Sequence, residues 1–369
     1  MKSASPIFRL TMHPASDGDA LLLSWGKSTD LRHALIDFGR TKDYRRLAPL
    51  LRRVREFDLV VLTHIDADHI EGAVPLFRER PLPFSANQVW FNGYQQLEAA
   101  NDRLPSSERE TLGAKQAEKI TVGIINSKWR WNAAFSSGIV STDSPEAKAS
   151  IPFDGGLSLK LLSPDDRKLA LLLPTWEAEL KKAGLRTTDP DEVEESLAAG
   201  RVNLSTMNVE ALARLPFKED TTKPNGASIA FLAEASGKRI LLAGDAHPGV
   251  IERALRARSA SEAAPLRLDC LKVSHHGSKA NTSPTLLKLI DCTCFAFSTD
   301  GTRHDHPDPE AIARILVADQ HRPKTLVFNF RQENTEIWDD ENLKKRWNYD
   351  CVFPTNNSAG ASIDLLEAG

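Results

Sequence analysis

The sequence has 369 residues, of which 41% are hydrophobic and 26% charged, and its formal net charge is −3. These values are ordinary for a globular protein of one large domain or two average ones. They exclude a chain whose overall charge attracts nucleic acid or an anionic membrane. The apolar pieces near the amino terminus are short and interrupted by Arg9, His13 and Asp17, so the h-region of a secretory signal is not expected there. No window has the roughly 18 apolar residues of a membrane span.

The first 65 residues alternate predicted strands and helices. The stretches PIFRLTMH, DALLLSWG and HALIDFG have the pattern of strands, and LVVLTH that of a strand buried on both faces. Between them, Asp43 is expected to cap a helix over 44–57, and IEGAVPLFRER is expected to resume as helix. Such alternation predicts a layered α/β architecture. Five arginines on the outer face of the 44–57 helix could hold a phosphodiester backbone, but a solvated face is the favoured interpretation.

The character of the chain changes over residues 98–222, which are polar and rich in helix signals, with GLSLKLLSP as a strand between them. We expect this region to be an insertion or cap over a core formed by 1–97 and 223–369, where strand signals return. The segment NSKWRWN at 126–132 could stack nucleic-acid bases, although such segments more often dock an insertion onto its domain.

The turn VVLTHIDADHIEG concentrates ligand-type side chains after a buried strand. Within it stand His64, Asp66, Asp68 and His69. Four polar side chains so close together are hard to satisfy with backbone partners alone. A metal ion would satisfy them all, because imidazole and carboxylate are its common protein ligands.

Two further polar clusters follow predicted strands. Asp245 follows Gly244 in LLAGDA, and the adjacent His275 and His276 lie in LKVSHHGS. Taken singly, an Asp after Gly is usually a turn or a helix cap, and a histidine pair can be partly exposed. Since α/β folds place ligands at the carboxyl ends of strands, three such clusters together favour a metal site.

The motifs THIDADHIEG, ILLAGDA and LKVSHHGS resemble the metal motifs of the metallo-β-lactamase fold hydrolases, which are αββα sandwiches. The His-x-Asp-x-Asp-His variant, together with HHGS, is similar to the hydrolase domain of the bacterial competence protein ComEC. DGDALLL, LIDFG, NGASIAFL and HPDPEAI support that branch. The resemblance covers roughly 5–100 and 220–320 and leaves out the middle region.

The resemblance implies two metal positions. It assigns Asp68, His69, Asp245 and one of His275 and His276 to the first position. It assigns His64 and Asp66 to the second, with Asp245 bridging the two. Alternation along a strand would place His275 and His276 on opposite faces, so that one binds metal and the other contacts substrate or solvent; the choice between them stays open here.

Many members of the superfamily supply another histidine between the first motif and the Gly-Asp strand, but residues 70–244 contain none. The second position is therefore richer in oxygen, which suits harder cations such as Mn²⁺. We expect one or two divalent ions, Zn²⁺ or Mn²⁺.

His304 and His306 lie in TRHDHPDP, before a helix whose first turn holds Pro309. One interpretation is a polar surface loop. In the resembled family a His-Pro element lies near the rim of the active site, which implies that His306 contacts phosphate or acts as a general acid. His304 is expected to be exposed to solvent.

The predicted activity is metal-assisted hydrolysis by a hydroxide bound at the metal, with Asp66, Asp68 and His306 as the catalytic candidates. The resemblance implies a phosphodiesterase acting on DNA. The alternatives are hydrolysis of small phosphodiesters, nucleotides, esters or lactones, or a metal-binding regulatory module without activity. Partner proteins and oligomeric state are left open.

The cysteines, without zinc-finger spacing, are expected to be reduced and buried, as in a cytoplasmic protein.

Overall fold

Two β-sheets dominate this computed structural model, which describes residues 5–112, 118–187, 208–257 and 264–367. The strands in chain order are β1 (Pro6–Met12), β2 (Leu21–Lys27), β3 (Asp30–Ile36), β4 (Glu56–Phe57), β5 (Leu59–Val61), β6 (Ser85–Ala86), β7 (Gln88–Trp90), β8 (Arg130–Trp131), β9 (Ile151–Phe153), β10 (Leu157–Ser163), β11 (Ala230–Ala235), β12 (Lys238–Leu242), β13 (Leu266–Leu268), β14 (Cys270–Lys272), β15 (Ile290–Cys292), β16 (Cys294–Phe297), β17 (Lys324–Phe328), β18 (Tyr349–Val352) and β19 (Ala361–Asp364).

The helices are mostly short. In chain order they are α1 (Thr41–Val54), α2 (Ala67–Ile70), α3 (Ala73–Leu76), α4 (Tyr94–Arg103), α5 (Lys119–Ser127), α6 (Asp166–Leu172), α7 (Trp176–Lys182), α8 (Val209–Arg214), α9 (Lys223–Gly226), α10 (Pro248–Arg256), α11 (Pro284–Leu289), α12 (Pro309–Ala318), α13 (Glu333–Glu336) and α14 (Glu341–Trp347). None of the described helices is both long enough and apolar enough to cross a membrane.

The strand order is β19-β1-β2-β3-β5-β7-β8 in the first sheet and β18-β17-β16-β14-β12-β11-β10-β9 in the second. In the first sheet, the strands from β19 to β3 pair antiparallel, and those from β3 to β8 pair parallel. In the second sheet, β12, β14, β16, β17 and β18 are parallel. Parallel strands end at one edge of a sheet, so the loops after them share that edge.

Three apolar cores separate four layers. The middle core lies between the two sheets, and includes Trp25 and Val61 from the first sheet and Phe231 from the second. An outer core packs helices such as α1, α4 and α6 on the first sheet, and another packs α10, α11 and α12 on the second. The predicted αββα sandwich is confirmed. β5 shows why its sequence is apolar throughout: Val60 faces the outer core, while Leu59 and Val61 face the middle one.

The middle region contributes to both sheets. β8 joins the edge of the first sheet, and β9 and β10 extend the second, so the predicted strand GLSLKLLSP is present as β10. Helices α4 to α7 cover the first sheet. The helix signals in residues 188–207 lie outside the described residues. The division into a 1–97/223–369 core and a 98–222 insertion stays a prediction.

The start of α1 corrects one expectation. The helix begins at Thr41 rather than Tyr44, and Asp43 lies inside its first turn. A carboxylate oxygen of Asp43 accepts a hydrogen bond from the Arg40 backbone N–H, and the other oxygen accepts one from the Ser16 hydroxyl. Asp43 therefore caps the helix from its third position, by accepting a hydrogen bond from the backbone of the residue that precedes the helix. Local sequence alone does not distinguish this arrangement from one in which Asp43 itself precedes the first helical residue.

Candidate metal centre

The polar clusters of the sequence meet at one edge of the sandwich, because each follows a parallel strand. Asp37 follows β3, the turn from His64 to His69 follows β5, Asp245 follows β12, and His275 and His276 follow β14. Asp19 arrives from the turn before β2. One ligand atom from each of Asp19, His69, Asp245 and His276 lies within 4.8 Å of the others, and all four residues are buried.

His69 and His276 point their Nε2 atoms at each other across 3.2 Å. Their Nδ1 atoms are engaged elsewhere. His276 Nδ1 donates to the carbonyl oxygen of Ser298 at 2.8 Å, and His69 Nδ1 lies 2.7 Å from a carboxylate oxygen of Asp37. Since a carbonyl and a carboxylate only accept, each Nδ1 carries the hydrogen, and the lone pair of each neutral ring is on Nε2. Two lone pairs this close require a positive charge between them.

Two carboxylates complete this group of donors. Asp245 Oδ2 is 3.3 Å from His69 Nε2 and 3.7 Å from His276 Nε2. Asp68 Oδ2 is 3.2 Å from His276 Nε2 and 3.7 Å from His69 Nε2. Ligand atoms held about 2.0–2.1 Å from a tetrahedral ion are about 3.3 Å apart. The oxygens of Asp68 and Asp245 therefore lie 3.2–3.7 Å from the two facing nitrogens, close to the spacing of ligands around a divalent ion. Asp37 and Ser298 fix the orientation of the two imidazoles.

The electrostatics of the group also favour a cation. Burial disfavours a charge on His69, but Asp245, Asp68 and Asp37 raise the pKa of its imidazole well above the ordinary value. Burial likewise opposes ionisation of Asp68 and Asp245, yet His69 and His276 hold the pKa of both carboxyls well below the ordinary value. The surrounding carboxylates thus stabilise a positive charge at the centre, whether a proton or a metal ion carries it.

His64 and Asp66 lie on the other side of Asp245. His64 Nε2 is 3.8 Å from Asp245 Oδ2 and 3.6 Å from Asp66 Oδ2. This nitrogen is buried and makes no hydrogen bond within the described residues, while Nδ1 contacts the Thr63 hydroxyl at 3.0 Å. An unpaired, buried imidazole nitrogen between two carboxylates is the arrangement that a second, more open ion position would need.

The histidine pair differs from the expected alternation. β14 ends at Lys272, and both residues lie in a tight turn with φ of 48° for His275 and 53° for His276. His276 is buried and faces His69. The His275 side chain keeps 24% of its surface exposed and contacts Asn281 Oδ1 at 3.0 Å and Asp220 Oδ2 at 3.6 Å. The two side chains therefore point in different directions because of this turn, and not because of alternation along a strand.

Two nearby carboxylates, those of Asp245 and Asp220, affect the pKa of His275. Burial opposes its protonation, but Asp245 and then Asp220 raise the pKa of its imidazole to about 9. Asp220 itself accepts hydrogen bonds from Asn225 Nδ2 at 2.7 Å and from the Thr222 backbone at 2.8 Å, through different oxygens.

Sequence reasoning missed three aspartates of this centre. Asp19 and Asp37 lie in motifs that supported the family resemblance, DGDALLL and LIDFG, but they received no role. Their position directly beside predicted strand ends was the available signal. Asp220 lies in a polar stretch without any pattern, so nothing in the sequence points to its contact with His275.

The remaining candidates occupy the rim or other surfaces. His306 is buried with its ring centroid 5.2 Å from that of His275, whereas His304 is exposed, as predicted. Burial, and then the nearby His275, lower the pKa of His306 well below its ordinary value, so its ring is neutral.

The two tryptophans of NSKWRWN dock that segment. Trp129 stacks on Phe84 with ring centroids 5.3 Å apart, and Trp131 Nε1 donates to the Phe91 carbonyl at 2.8 Å. The five arginines expected on the outer face of the 44–57 helix are exposed; Arg45, Arg46, Arg52 and Arg53 lie on α1, and Arg55 directly follows it. The four cysteines are free thiols, three of them buried and Cys351 partly exposed.

A scan against protein-family models and a search of curated proteins found no match. Among solved structures, the chain is similar to the 1.98 Å crystal structure of Zn²⁺-bound PqqB from Methylobacterium extorquens. The identity is 12%, the TM-score is 0.40, and the match covers 94% of this chain and 87% of that one. At this distance the likeness says nothing about what this chain binds or cleaves.

Proposed function

We propose that the protein is a metal-dependent hydrolase that cleaves phosphodiesters. The observation that carries this proposal is the donor set around the 3.2 Å contact between His69 Nε2 and His276 Nε2, with oxygens of Asp68 and Asp245 3.2–3.7 Å from these nitrogens. Such a set fits Zn²⁺ or Mn²⁺. A divalent ion held there polarises a phosphoryl oxygen and makes water a stronger nucleophile at neutral pH.

We assign roles to the residues of the site by their positions. His69, His276, Asp68 and Asp245 hold the first ion, and Asp37 and Ser298 fix the two imidazole tautomers. His64 and Asp66 extend the donor set past Asp245 toward a second ion. The Asp66 side chain is 27% exposed, so it is also placed to orient a water molecule at the open side.

Substrate groups are expected to contact the partly exposed His275 and the neutral ring of His306. A neutral imidazole donates one hydrogen bond and can orient a phosphoryl oxygen. His306 is therefore proposed as a phosphate contact rather than a general acid, because the low pKa of its imidazole leaves it without a second proton near neutral pH.

Nucleic acid is the proposed substrate class, on the strength of the resemblance of the three metal motifs to the ComEC-type hydrolase domain. Small phosphodiesters are the second candidate. Two observations favour them: the net charge is −3, and Trp129 is packed against Phe84 instead of being free to stack on bases.

The test is cleavage of bis(p-nitrophenyl) phosphate, single-stranded DNA and double-stranded DNA by the full chain with added Zn²⁺ or Mn²⁺. Asp68→Ala is expected to lower the rate by at least about 100-fold, because it removes a ligand of the ion. Asp58→Ala is the matched control. Asp58 is a partly buried aspartate paired with Arg32 at 2.7 Å, and it directly precedes β5 at the end away from the metal centre.

Cleavage of DNA that needs metal and is lost in Asp68→Ala supports a nuclease. Cleavage of the small diester alone supports the second candidate. If neither substrate is cut with either metal, or if Asp68→Ala cuts as fast as Asp58→Ala, the proposal is overturned.

A further inference from the structure

Behind the metal centre lies an ion pair with no access to solvent. Lys272 Nζ is 2.7 Å from Asp19 Oδ2, and the two side chains are 0% and 1% exposed. The lysine also donates to the Val273 carbonyl at 3.3 Å. Removing two charges from water costs several kcal/mol per ion, which one contact does not fully repay. Such a pair is weak evidence for stability, and its position suggests another role.

The turn that carries Asp19 is built onto the metal centre. The Asp19 backbone N–H donates to the Asp68 carbonyl at 3.3 Å, and the Ser298 hydroxyl donates to the Gly18 carbonyl at 3.0 Å. Gly18 is required for this approach, because a Cβ atom there would lie 1.7 Å from the Asp68 carbonyl oxygen. The turn therefore holds Asp19 against the residues that flank both imidazoles.

Only one oxygen of Asp19 is used by the lysine. The other, Oδ1, is buried and accepts no hydrogen bond within the described residues. It lies 3.7 Å from His276 Nδ1, and Asp19 belongs to the group of buried donors that fall within 4.8 Å of one another. A buried, unpaired carboxylate oxygen is costly unless a cation or a donor meets it.

We propose that Asp19 is an additional oxygen donor to the metal centre, paired with Lys272 before an ion binds, and that it favours Mn²⁺ over Zn²⁺. The inference rests on the metal centre of the proposed function. Zinc is satisfied by four tetrahedral ligands, which His69, His276, Asp68 and Asp245 already supply. Manganese takes more ligands and prefers carboxylate oxygen, so a fifth protein donor benefits it more.

Lys272 has a second effect, because its ammonium is a cation close to the position of the metal. It keeps Asp19 from being an unpaired buried charge before the ion binds, and it weakens the attraction of the centre for that ion. Removing the two members of the pair should therefore change manganese affinity in opposite directions.

The experiment measures Mn²⁺ and Zn²⁺ affinity by competition with a chromophoric chelator, using metal-stripped full-length protein. The electron paramagnetic resonance signal of free Mn²⁺ gives an independent readout. We expect Asp19→Asn to weaken Mn²⁺ binding by about 10–100-fold and Zn²⁺ binding by about threefold or less. We expect Lys272→Met to tighten Mn²⁺ binding. Asp166→Asn is the control, since Asp166 is a buried aspartate paired with Arg103 at 3.3 Å outside the centre.

Equal effects of Asp19→Asn on the two metals, or none beyond those of Asp166→Asn, would overturn the inference and leave the hydrolase proposal standing. Weaker Mn²⁺ binding in Lys272→Met, in protein that circular dichroism shows to be folded, would mean that the pair of Lys272 and Asp19 is merely structural. That result would also overturn the inference. If Lys272→Met does not fold, the Mn²⁺ to Zn²⁺ ratio of Asp19→Asn decides alone. Wild-type protein that binds neither metal would remove both proposals.

Discussion

At the scale of single residues, Asp37 determines which nitrogen of His69 is available to a metal. Its Oδ1 accepts from the Thr63 backbone N–H at 2.8 Å, and its Oδ2 faces the Thr63 hydroxyl and His69 Nδ1, each at 2.7 Å. The backbone donor requires an oxygen in the first position. An asparagine would therefore place its NH₂ group against His69 Nδ1 and move the ring hydrogen to Nε2.

Asp37→Asn is accordingly expected to weaken metal binding by about 10–100-fold without removing any ligand. Chelator competition measures this change. Asp43→Asn, at another buried aspartate that accepts hydrogen bonds from the Ser16 hydroxyl and the Arg40 backbone, serves as the control. Metal affinity in Asp37→Asn equal to that in the control would contradict the tautomer argument.

The two adjacent histidines are expected to have separable roles. His276→Ala should abolish stoichiometric binding at the first metal position, because it removes one of the four donors. His275→Ala should keep metal bound and lower turnover by about 10-fold or more, since His275 contacts Asp220 and the open side of the centre. Metal analysis beside cleavage of the small diester separates the two. Loss of metal in both variants would show that the turn acts as one unit.

At the scale of elements, α5 begins with a buried acid. Glu118 is its cap, 2% exposed, and accepts a hydrogen bond from the Thr121 backbone at 2.5 Å and another from the Thr121 hydroxyl. Burial outweighs these bonds and raises the pKa of Glu118 from 4.5 to about 7. Because the folded pKa is the higher one, this group destabilises the fold as pH rises from about 4.5 to about 7.

Glu118→Gln keeps an oxygen for the helix cap and removes the charge. Its free energy of unfolding should exceed that of the wild type by roughly 1–3 kcal/mol at pH 8 and match it near pH 4. Urea unfolding of both proteins at several pH values measures the difference. If the two free energies of unfolding differ by the same amount at every pH, the raised pKa of Glu118 in the folded protein is contradicted.

At the scale of the molecule, the metal centre joins the two sheets. Asp68 and His69 follow β5 of the first sheet, while Asp245 and His276 follow β12 and β14 of the second. An ion bound by all four is absent from the unfolded chain, so its binding free energy adds to the stability of the whole sandwich.

At a metal concentration about 100 times Kd, the added stability is roughly 2.7 kcal/mol, which corresponds to a rise of a few degrees in Tm. Calorimetry with metal and with chelator tests this, and His276→Ala should show no shift. If metal instead split the transition into two, the centre would be stabilising one sheet without the other.

The sequence by itself determined what depends on neighbours along the chain. Apolar runs such as β5 and the ligand-type turn after it are local patterns, so the strands, a layered α/β architecture and the crowded turn from His64 to His69 could be predicted, while the αββα arrangement followed from the family resemblance. The family resemblance rested on these local motifs as well.

Tertiary structure alone decided contacts between distant residues. His69 and His276 are 207 residues apart, and Lys272 and Asp19 are 253 apart, so no local pattern reports that they meet. For the same reason the sequence left the choice within the histidine pair open and gave Asp19, Asp37 and Asp220 no role. Strand pairing of β8, β9 and β10 within the polar middle region was hidden too, because pairing is fixed by partners elsewhere in the chain.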